Sequence, residues 1–134
     1  LTDVTGVQTC ALPISFVSCD YLTQEIPGKY DVAWLSHVLH AESPQDCERM
    51  VQKAVHALNP GGTIFIHEFI LNDDGTSPLF PALFALNMLV NTPGGRAYRE
   101  VEIRRMLGNS GVEEIKRLDF RGPNDSSILC GRVR

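Results

Sequence analysis

Three histidines and a glutamate fall in two short stretches of this sequence, each at the end of an apolar run. His37 and His40 follow the first run, and His67 with Glu68 closes the second. Ligands of open α/β sheets bind outside the carboxyl ends of the strands, where these side chains would converge. A histidine there can take a proton from a hydroxyl group, and a carboxylate bonded to its other ring nitrogen would fix its tautomer. A histidine that only caps or bridges a loop explains the same residue types, and spacing alone favours that simpler interpretation.

The spacing of the histidines also raises the question of a metal site. His37 and His40 stand three positions apart, with His67 and Glu68 nearby, and imidazole and carboxylate ligands suit zinc or iron. Histidines beside apolar runs are more often packed or surface residues. We therefore predict that no metal is bound here.

A strand, a helix and a second strand must position these side chains. The continuous apolar run 31–36 suits a strand that is buried on both faces, as in a parallel sheet. Ser43 can cap a helix that has Pro44 at its first position, and the turn 59–62 ends that helix. The run 63–70 is the next strand, so the stretch predicts a right-handed βαβ unit.

Weaker patterns predict the remaining elements. Residues 16–19 form a short strand candidate. Residues 79–90 predict a helix that is apolar nearly all round and therefore buried, in a core or at a subunit interface. A shorter amphipathic helix is predicted over 100–107. Two final strands, 112–120 and 127–133, flank a Gly-Pro-Asn-Asp turn and predict an antiparallel hairpin.

Composition restricts the class of protein. The chain has 134 residues, enough for one domain, with ordinary apolar (43%) and charged (21%) fractions. The net charge of −4 gives no reason to expect a nucleic-acid partner, and no apolar run is long enough for us to expect a membrane partner. Cys19, Cys47 and Cys130 are widely spaced without a C-x-x-C pair. This spacing predicts free thiols in the cytoplasm rather than a zinc site or a disulfide framework.

The first residues have a different origin from the rest. The run from Val4 to Ser15 reads as the translation of a common short-read sequencing adapter, over 12 consecutive residues including Cys10. We therefore expect residues 1–15 to be non-native, and residues 16–134 to be part of a domain that has been cut on its amino-terminal side. The alternative is a genuine strand over residues 12–17.

Three segments carry a resemblance to a known family. They are Leu35–His40 (L-S-H-V-L-H), residues 57–71 with their A-L-N-P-G-G turn, and residues 86–95 (L-N-M-L-V-N-T-P-G-G). Together they resemble the class I S-adenosylmethionine-dependent methyltransferases, in particular small-molecule O-methyltransferases with an N-terminal dimerisation domain. The resemblance covers about residues 16–133. It implies an α/β fold: the C-terminal portion of a Rossmann-like methyltransferase sheet, ending in an antiparallel hairpin, with its first strands missing.

The resemblance also implies roles for individual residues. His40 takes the place of the general base that removes the acceptor's proton, and Glu68 takes the place of the glutamate that orients this histidine. Asp20 and Tyr21 match the positions that hold the adenine ring of S-adenosylmethionine, and Ser36 is a further cofactor contact. The residues expected to line the acceptor pocket are Asn87, Met88 and Asn91.

Several features depart from the family pattern. Many relatives have Lys at Ser36, Asp at Ala41 and a second Glu at Ala97. The missing Glu leaves one carboxylate beside His40, which implies a weaker base or a more acidic acceptor. Nothing resembles the glycine-rich strand-turn that cradles the methionine part of the cofactor, or the acidic residue that binds its ribose. We therefore expect this chain by itself to be inactive. The resemblance further implies a homodimer for the full-length protein.

These expectations combine into one function, the transfer of a methyl group from S-adenosylmethionine to a hydroxyl of a small aromatic acceptor. An alternative is a non-catalytic binding or dimerisation scaffold that kept a methyltransferase-like half-fold, since fold alone does not establish function. Ser36 and Ala97 favour the scaffold, and the retained His40–Glu68 pair opposes it. A nicotinamide-dependent Rossmann enzyme is disfavoured by the final hairpin.

Overall fold

The computed structural model describes residues 14–134. Residues 1–13, which include Cys10 and most of the segment expected to be non-native, lie outside the described residues. The main elements, in chain order, are β1 (Tyr30–Ser36), α1 (Pro44–His56), β2 (Leu58–Glu68), α2 (Leu79–Asn91), α3 (Glu100–Asn109), β3 (Val112–Arg117) and β4 (Ser127–Val133). Among these residues, no helix has the length and apolar character needed to cross a bilayer.

The four strands form one sheet in the order β1-β2-β4-β3. β1 pairs with β2 in parallel, and β4 pairs antiparallel with both β2 and β3. Helices α1 and α3 contact each other and cover one face of the sheet, and the core lies between them and the strands. The predicted α/β fold, with a βαβ unit followed by an antiparallel pair of strands, is confirmed.

The start of α1 follows the local rules of helix capping. Pro44 occupies the first turn, where its missing N–H needs no partner. The Ser43 hydroxyl accepts a hydrogen bond from the backbone N–H of Asp46 at 3.2 Å, which satisfies one of the free amides at the helix start. The inward face of the helix is fully apolar, and its buried residues are Cys47, Met50, Val51, Ala54 and Val55. The predicted helix and its starting residue are confirmed.

Strand β2 begins earlier than the sequence predicts. Leu58 already pairs with Tyr30, and the next pair in the register is Val32 with Thr63. The turn 59–62 is therefore an excursion within the strand pairing, not a separate connection. Gly62 is required there because a Cβ atom would come within 2.9 Å of a backbone oxygen. The strand also ends two residues earlier than predicted, at Glu68.

Three other predictions are wrong in detail. Residues 16–19 are not a strand; Phe16 is 80% exposed, and no neighbouring strand in the described part of the chain pairs with this segment. β1 is not buried on both faces: Val32 and Trp34 are more than half exposed, and the strand is an edge strand of the sheet. β3 ends at Arg117 rather than residue 120.

Helix α2 forms as predicted but is not part of the core. Pro81 is its buried residue, and its large apolar side chains Leu79, Leu83, Leu86, Leu89 and Val90 are exposed. The prediction of burial in a core is therefore wrong for the described chain. The alternative, a subunit interface, stays a prediction.

Candidate active site

Glu68 is a buried carboxylate at the carboxyl end of β2. Along this strand Ile64, Ile66 and Glu68 are buried alternately with half-buried residues, which places all three on the same face of the sheet. The Glu68 carboxylate accepts hydrogen bonds from the backbone N–H groups of Leu39 (3.0 Å) and Phe69 (3.1 Å). It therefore satisfies free amides both at its own strand end and in the turn that follows β1.

His40 lies in that turn, a single 3₁₀ turn spanning Leu39–Ala41. Its Nδ1 atom is 2.9 Å from Oε2 of Glu68, and its side chain is 17% exposed. An ionised carboxylate only accepts hydrogen bonds, so the proton of this bond belongs on Nδ1. That tautomer leaves Nε2 with a free lone pair, the arrangement in which a histidine acts as a base. The structure thus brings together the two residues that sequence analysis paired, although they are 28 positions apart.

His37 approaches the same carboxylate from a different direction. It follows β1 with a φ of 53°, a left-handed conformation uncommon for residues other than glycine. Its Nδ1 atom is 3.7 Å from Oε2 of Glu68. This nitrogen is buried, without a hydrogen-bond partner in the described part of the chain. Burial lowers the pKa of His37, although the nearby Glu68 charge opposes this shift.

His67, by contrast, has both ring nitrogens occupied. Ser36 Oγ lies 2.9 Å from its Nδ1, and Ser126 Oγ lies 3.1 Å from its Nε2. Its ring packs edge-on against Phe120. His67 therefore acts as a hydrogen-bonded part of the sheet surface, and Ser36 is one of its anchors.

Aromatic rings of Phe69 and Phe84 pack against His40. Phe84 of α2 packs edge-on against the imidazole at 4.9 Å between ring centroids, and Phe69 lies 4.7 Å from Phe84. Phe80 completes the group, 5.0 Å from Phe69. Rings arranged in this way favour a flat, apolar molecule beside the imidazole.

The predicted acceptor-pocket residues lie on the same helix as Phe84. Asn87, Met88 and Asn91 follow Phe84 by three, four and seven positions, which places them on its face of the helix. The Asn91 amide donates to Oδ1 of Asn87 at 2.6 Å. Both asparagines are exposed and Met88 is half-buried. Helical spacing from this trio could have identified Phe84, whereas no sequence signal marks Ser126.

The predicted cofactor residues lie on the other side of the turn. Asp20 is exposed and accepts from the Thr23 hydroxyl at 2.7 Å and the Leu22 N–H at 2.9 Å. These bonds lower the pKa of Asp20. The Tyr21 hydroxyl donates to Glu42 at 2.6 Å, a contact that raises the pKa of Tyr21. Asp20 is thus a turn-forming residue here, and a role with adenine stays a prediction for both.

A cavity of about 480 Å³ runs along the free side of β1. Tyr21 and Ser36 lie in its lining, whereas Asp20, His40 and Glu68 do not. The rest of the lining is mostly apolar, and none of the described lining residues is charged. The cavity is large enough for a cofactor, but its polar side-chain groups are few: the hydroxyls of Tyr21, Tyr30 and Ser36 and the indole N–H of Trp34.

Comparison with known proteins gives consistent matches. Residues 7–113 match the family model described as an O-methyltransferase domain. The chain is 30% identical over 118 residues to 3-hydroxy-5-methyl-1-naphthoate 3-O-methyltransferase of Streptomyces sahachiroi, covering 88% of this chain and 34% of that protein. It is 35% identical over 103 residues to acetylserotonin O-methyltransferase of Bos taurus, covering 77% of this chain and 29% of that protein.

Solved structures show the same similarity. Human N-acetylserotonin methyltransferase in complex with SAM has a TM-score of 0.80 at 25% identity, with 95% of this chain and 36% of that chain covered. PigF with SAH has a TM-score of 0.78 at 27% identity, with 86% of this chain and 34% of that chain covered. The chain spans about a third of the length of the curated relatives it matches.

Proposed function

The chain belongs to the O-methyltransferase domain family, and on that premise we propose that it carries the proton-transfer site of an S-adenosylmethionine-dependent O-methyltransferase. The observation that carries this proposal is the 2.9 Å contact between His40 Nδ1 and the buried Glu68 carboxylate. The matched relatives are named as O-methyltransferases, and two of the solved structures contain SAM or SAH.

His40 would act on the hydroxyl of the acceptor. The hydroxyl proton would move to Nε2 of His40 as the oxygen gains the methyl group, while the carbon–sulfur bond of the sulfonium breaks and its electron pair returns to sulfur as a neutral thioether. The Glu68 carboxylate holds the Nδ1 proton and stabilises the imidazolium that results. Glu68 itself stays ionised and is a positioning residue. The proton then leaves Nε2 for solvent.

S-adenosylmethionine would supply the methyl group as a sulfonium, which needs no metal or redox chemistry. Tyr21 and Ser36 at the cavity lining fit the adenosine part, with a ring for stacking and a hydroxyl for a hydrogen bond. Asp20 is our further proposed contact with this part of the cofactor.

The acceptor would be a small aromatic molecule that bears a hydroxyl group. Two observations support this class: the rings of Phe69 and Phe84 beside His40, and the names of relatives that act on a naphthoate and on acetylserotonin. Asn87, Met88 and Asn91 would line the far side of the acceptor. The amide groups of Asn87 and Asn91 would orient a second substituent of the acceptor ring.

We further propose that the 134-residue chain by itself does not catalyse methyl transfer. The cavity along β1 offers no charged group from the described residues for the ribose or the methionine part of the cofactor. The outer edge of β1 also pairs with no strand among residues 14–134. Calorimetric titration of the chain with S-adenosylmethionine should therefore show no tight binding, and tight binding would refute this point.

Two other properties remain proposals. The exposed leucines of α2 support a homodimer for the full-length protein, because a large exposed apolar surface marks an interaction site. The free thiols of Cys19, Cys47 and Cys130 support a cytoplasmic location.

Long-read sequencing of the genomic DNA upstream of the Phe16 codon is the first test. A frame that continues into an acidic-x-Gly-x-Gly strand-turn would support the proposed enzyme and define the protein to assay. A genomic origin for the codons of residues 4–15 would instead favour the binding scaffold.

In the protein so defined, His40→Ala should lower kcat by a factor of about 100 or more, the usual contribution of general base catalysis, with cofactor affinity unchanged. His56→Ala is the matched control, because His56 is an exposed histidine at the end of α1. Equal turnover in both variants would remove His40 from the mechanism.

A further inference from the structure

Three potential ligand atoms converge at the end of β2. One ring nitrogen of His37, one ring nitrogen of His40 and a carboxylate oxygen of Glu68 all lie within 4.8 Å of one another. His40 uses its nitrogen for a hydrogen bond to this carboxylate. His37 does not; its Nδ1 is buried and has no partner among the described residues. The proposed proton-transfer reaction gives His37 no role.

The position of His37 has an energetic cost that ordinary packing does not explain. A buried nitrogen without a hydrogen bond is unfavourable, and such atoms commonly indicate an ion or a water molecule. The residue also holds a left-handed φ of 53°, and strained backbone of this kind is concentrated at functional sites. Its own N–H donates to the carbonyl of His67 at 2.9 Å, which fixes the backbone in this conformation.

Two of the three distances in this cluster are close to those around a zinc ion. With bonds of roughly 2.0–2.2 Å, two ligand atoms of a tetrahedral zinc site lie about 3.4 Å apart. In this chain, Oε2 of Glu68 is 2.9 Å from Nδ1 of His40 and 3.7 Å from Nδ1 of His37. Movements of a few tenths of an ångström would bring these two distances to the required value, and the two imidazole nitrogens, which lie within 4.8 Å of each other, would have to close to the same separation. Two imidazoles and one carboxylate also favour zinc-like ions over magnesium.

In contrast to the prediction from their spacing in the sequence, we propose that His37, His40 and Glu68 bind a divalent transition-metal ion of the zinc class, and that the bound ion switches off His40 as a base. Binding itself follows from the three ligand atoms. The switching rests on the proposed function, because it requires that His40 accepts a proton on Nε2.

The inhibition follows from the proton balance of the imidazole. The metal ion binds the lone pair of Nδ1 once the proton that Nδ1 donated to Glu68 has passed to solvent, and Nε2 takes up a proton from solvent in its place. A neutral imidazole bound through Nδ1 carries its single proton on Nε2. Nε2 then has no lone pair to accept the proton of a hydroxyl group, so bound metal and base catalysis exclude each other.

His67 is excluded as a fourth ligand because Ser36 and Ser126 occupy both of its ring nitrogens. The fourth position would hold water. Exchange with solvent would make the ion removable by a chelator, which makes the inhibition reversible.

Metal binding can be measured on the 134-residue chain without any enzyme assay. Zinc chloride is titrated by calorimetry, and Co²⁺ is added separately to read coordination from its visible absorption. The informative variant is His37→Asn, because asparagine tolerates a left-handed φ and removes the imidazole. The matched control is His56→Asn, which removes the exposed imidazole at the end of α1.

We expect zinc to bind the chain and the His56→Asn variant equally. Loss of a residue that only hydrogen-bonds a metal ligand lowers metal affinity by roughly 10–100-fold. His37→Asn removes a ligand itself, so its zinc affinity should fall by at least this factor. Magnesium should not compete. An absence of zinc binding, or equal binding by His37→Asn, would overturn the site.

Inhibition is tested separately in the longer, active protein. Zinc should abolish turnover and EDTA should restore it, with the same dependence on His37. Zinc binding without loss of turnover would refute the switching of His40. A protein that binds zinc at this site but has no methyltransferase activity without the metal would refute the proposed function and leave the metal site intact.

Discussion

Replacement of Glu68 by Gln tests whether the buried carboxylate holds the two strand ends together. The side chain keeps its shape but loses its charge, and one acceptor oxygen becomes an NH₂ group. If the NH₂ replaced Oε1, it would face the N–H of Leu39, which now donates at 3.0 Å. If it replaced Oε2, it would face the N–H of Phe69, which now donates at 3.1 Å. Either orientation leaves a buried N–H group opposite another donor.

The expected loss of stability follows from these contacts. A buried N–H without a partner costs about 1–3 kcal/mol, and a hydrogen bond to a charged group contributes about 1.5–3 kcal/mol. We therefore expect the free energy of unfolding to fall by about 3–5 kcal/mol, the range found when one partner of a buried ion pair is removed. Intact domains have roughly 5–15 kcal/mol of stability, so a loss of this size should be visible as unfolding at a lower urea concentration.

Urea denaturation followed by circular dichroism measures this change. Glu25→Gln is the matched control, because Glu25 is exposed and loses the same charge; its effect should stay within about 0.5 kcal/mol. A fall for Glu68→Gln no larger than that of the control would refute the reasoning. The slope of the transition should be equal in all three proteins, since a changed slope means a changed unfolded or native ensemble.

Three further outcomes test other parts of the fold. Gly62→Ala should lower the free energy of unfolding by about 1–3 kcal/mol, because its Cβ would lie 2.9 Å from the carbonyl oxygen of Asn59; unchanged stability would contradict the tight turn. Gly108→Ala should instead raise stability by about 0.5–1 kcal/mol, because Gly108 is helical and its Cβ meets no neighbour; a loss in thermal denaturation would contradict this. Burial raises the pKa of Cys47 to about 11 from an ordinary value of 9.0, and the neutral thiol donates to the Leu39 carbonyl at 3.1 Å. Its contribution to stability should therefore be complete below pH 9 and disappear as the pH rises to about 11. A Cys47→Ala variant should show a flatter stability profile over that range, and identical profiles would argue against the shift.

The sequence by itself determined the elements whose signals are local. Ser43 and Pro44 set the start of α1 because a cap acts within one turn of the helix. The order of strand, helix and strand placed His40 and Glu68 at neighbouring strand ends, because the carboxyl ends of parallel strands meet at one edge. The βαβ unit could therefore be predicted from local patterns, whereas the pairing of His40 with Glu68 was predicted only with the family resemblance.

The tertiary structure alone decided burial, register and the finer geometry of the site. The exposure of α2 and β1 depends on which segments pack against them, and an apolar residue pattern does not specify those segments. The early start of β2 depends on pairing with Tyr30, a partner 28 residues earlier in the chain. The approach of His37 to Glu68 depends on the left-handed φ of His37, which the residue pattern did not predict. Capping and periodicity act over a few residues, whereas these features arise from contacts between distant segments, whose distances are fixed only once the sheet has formed.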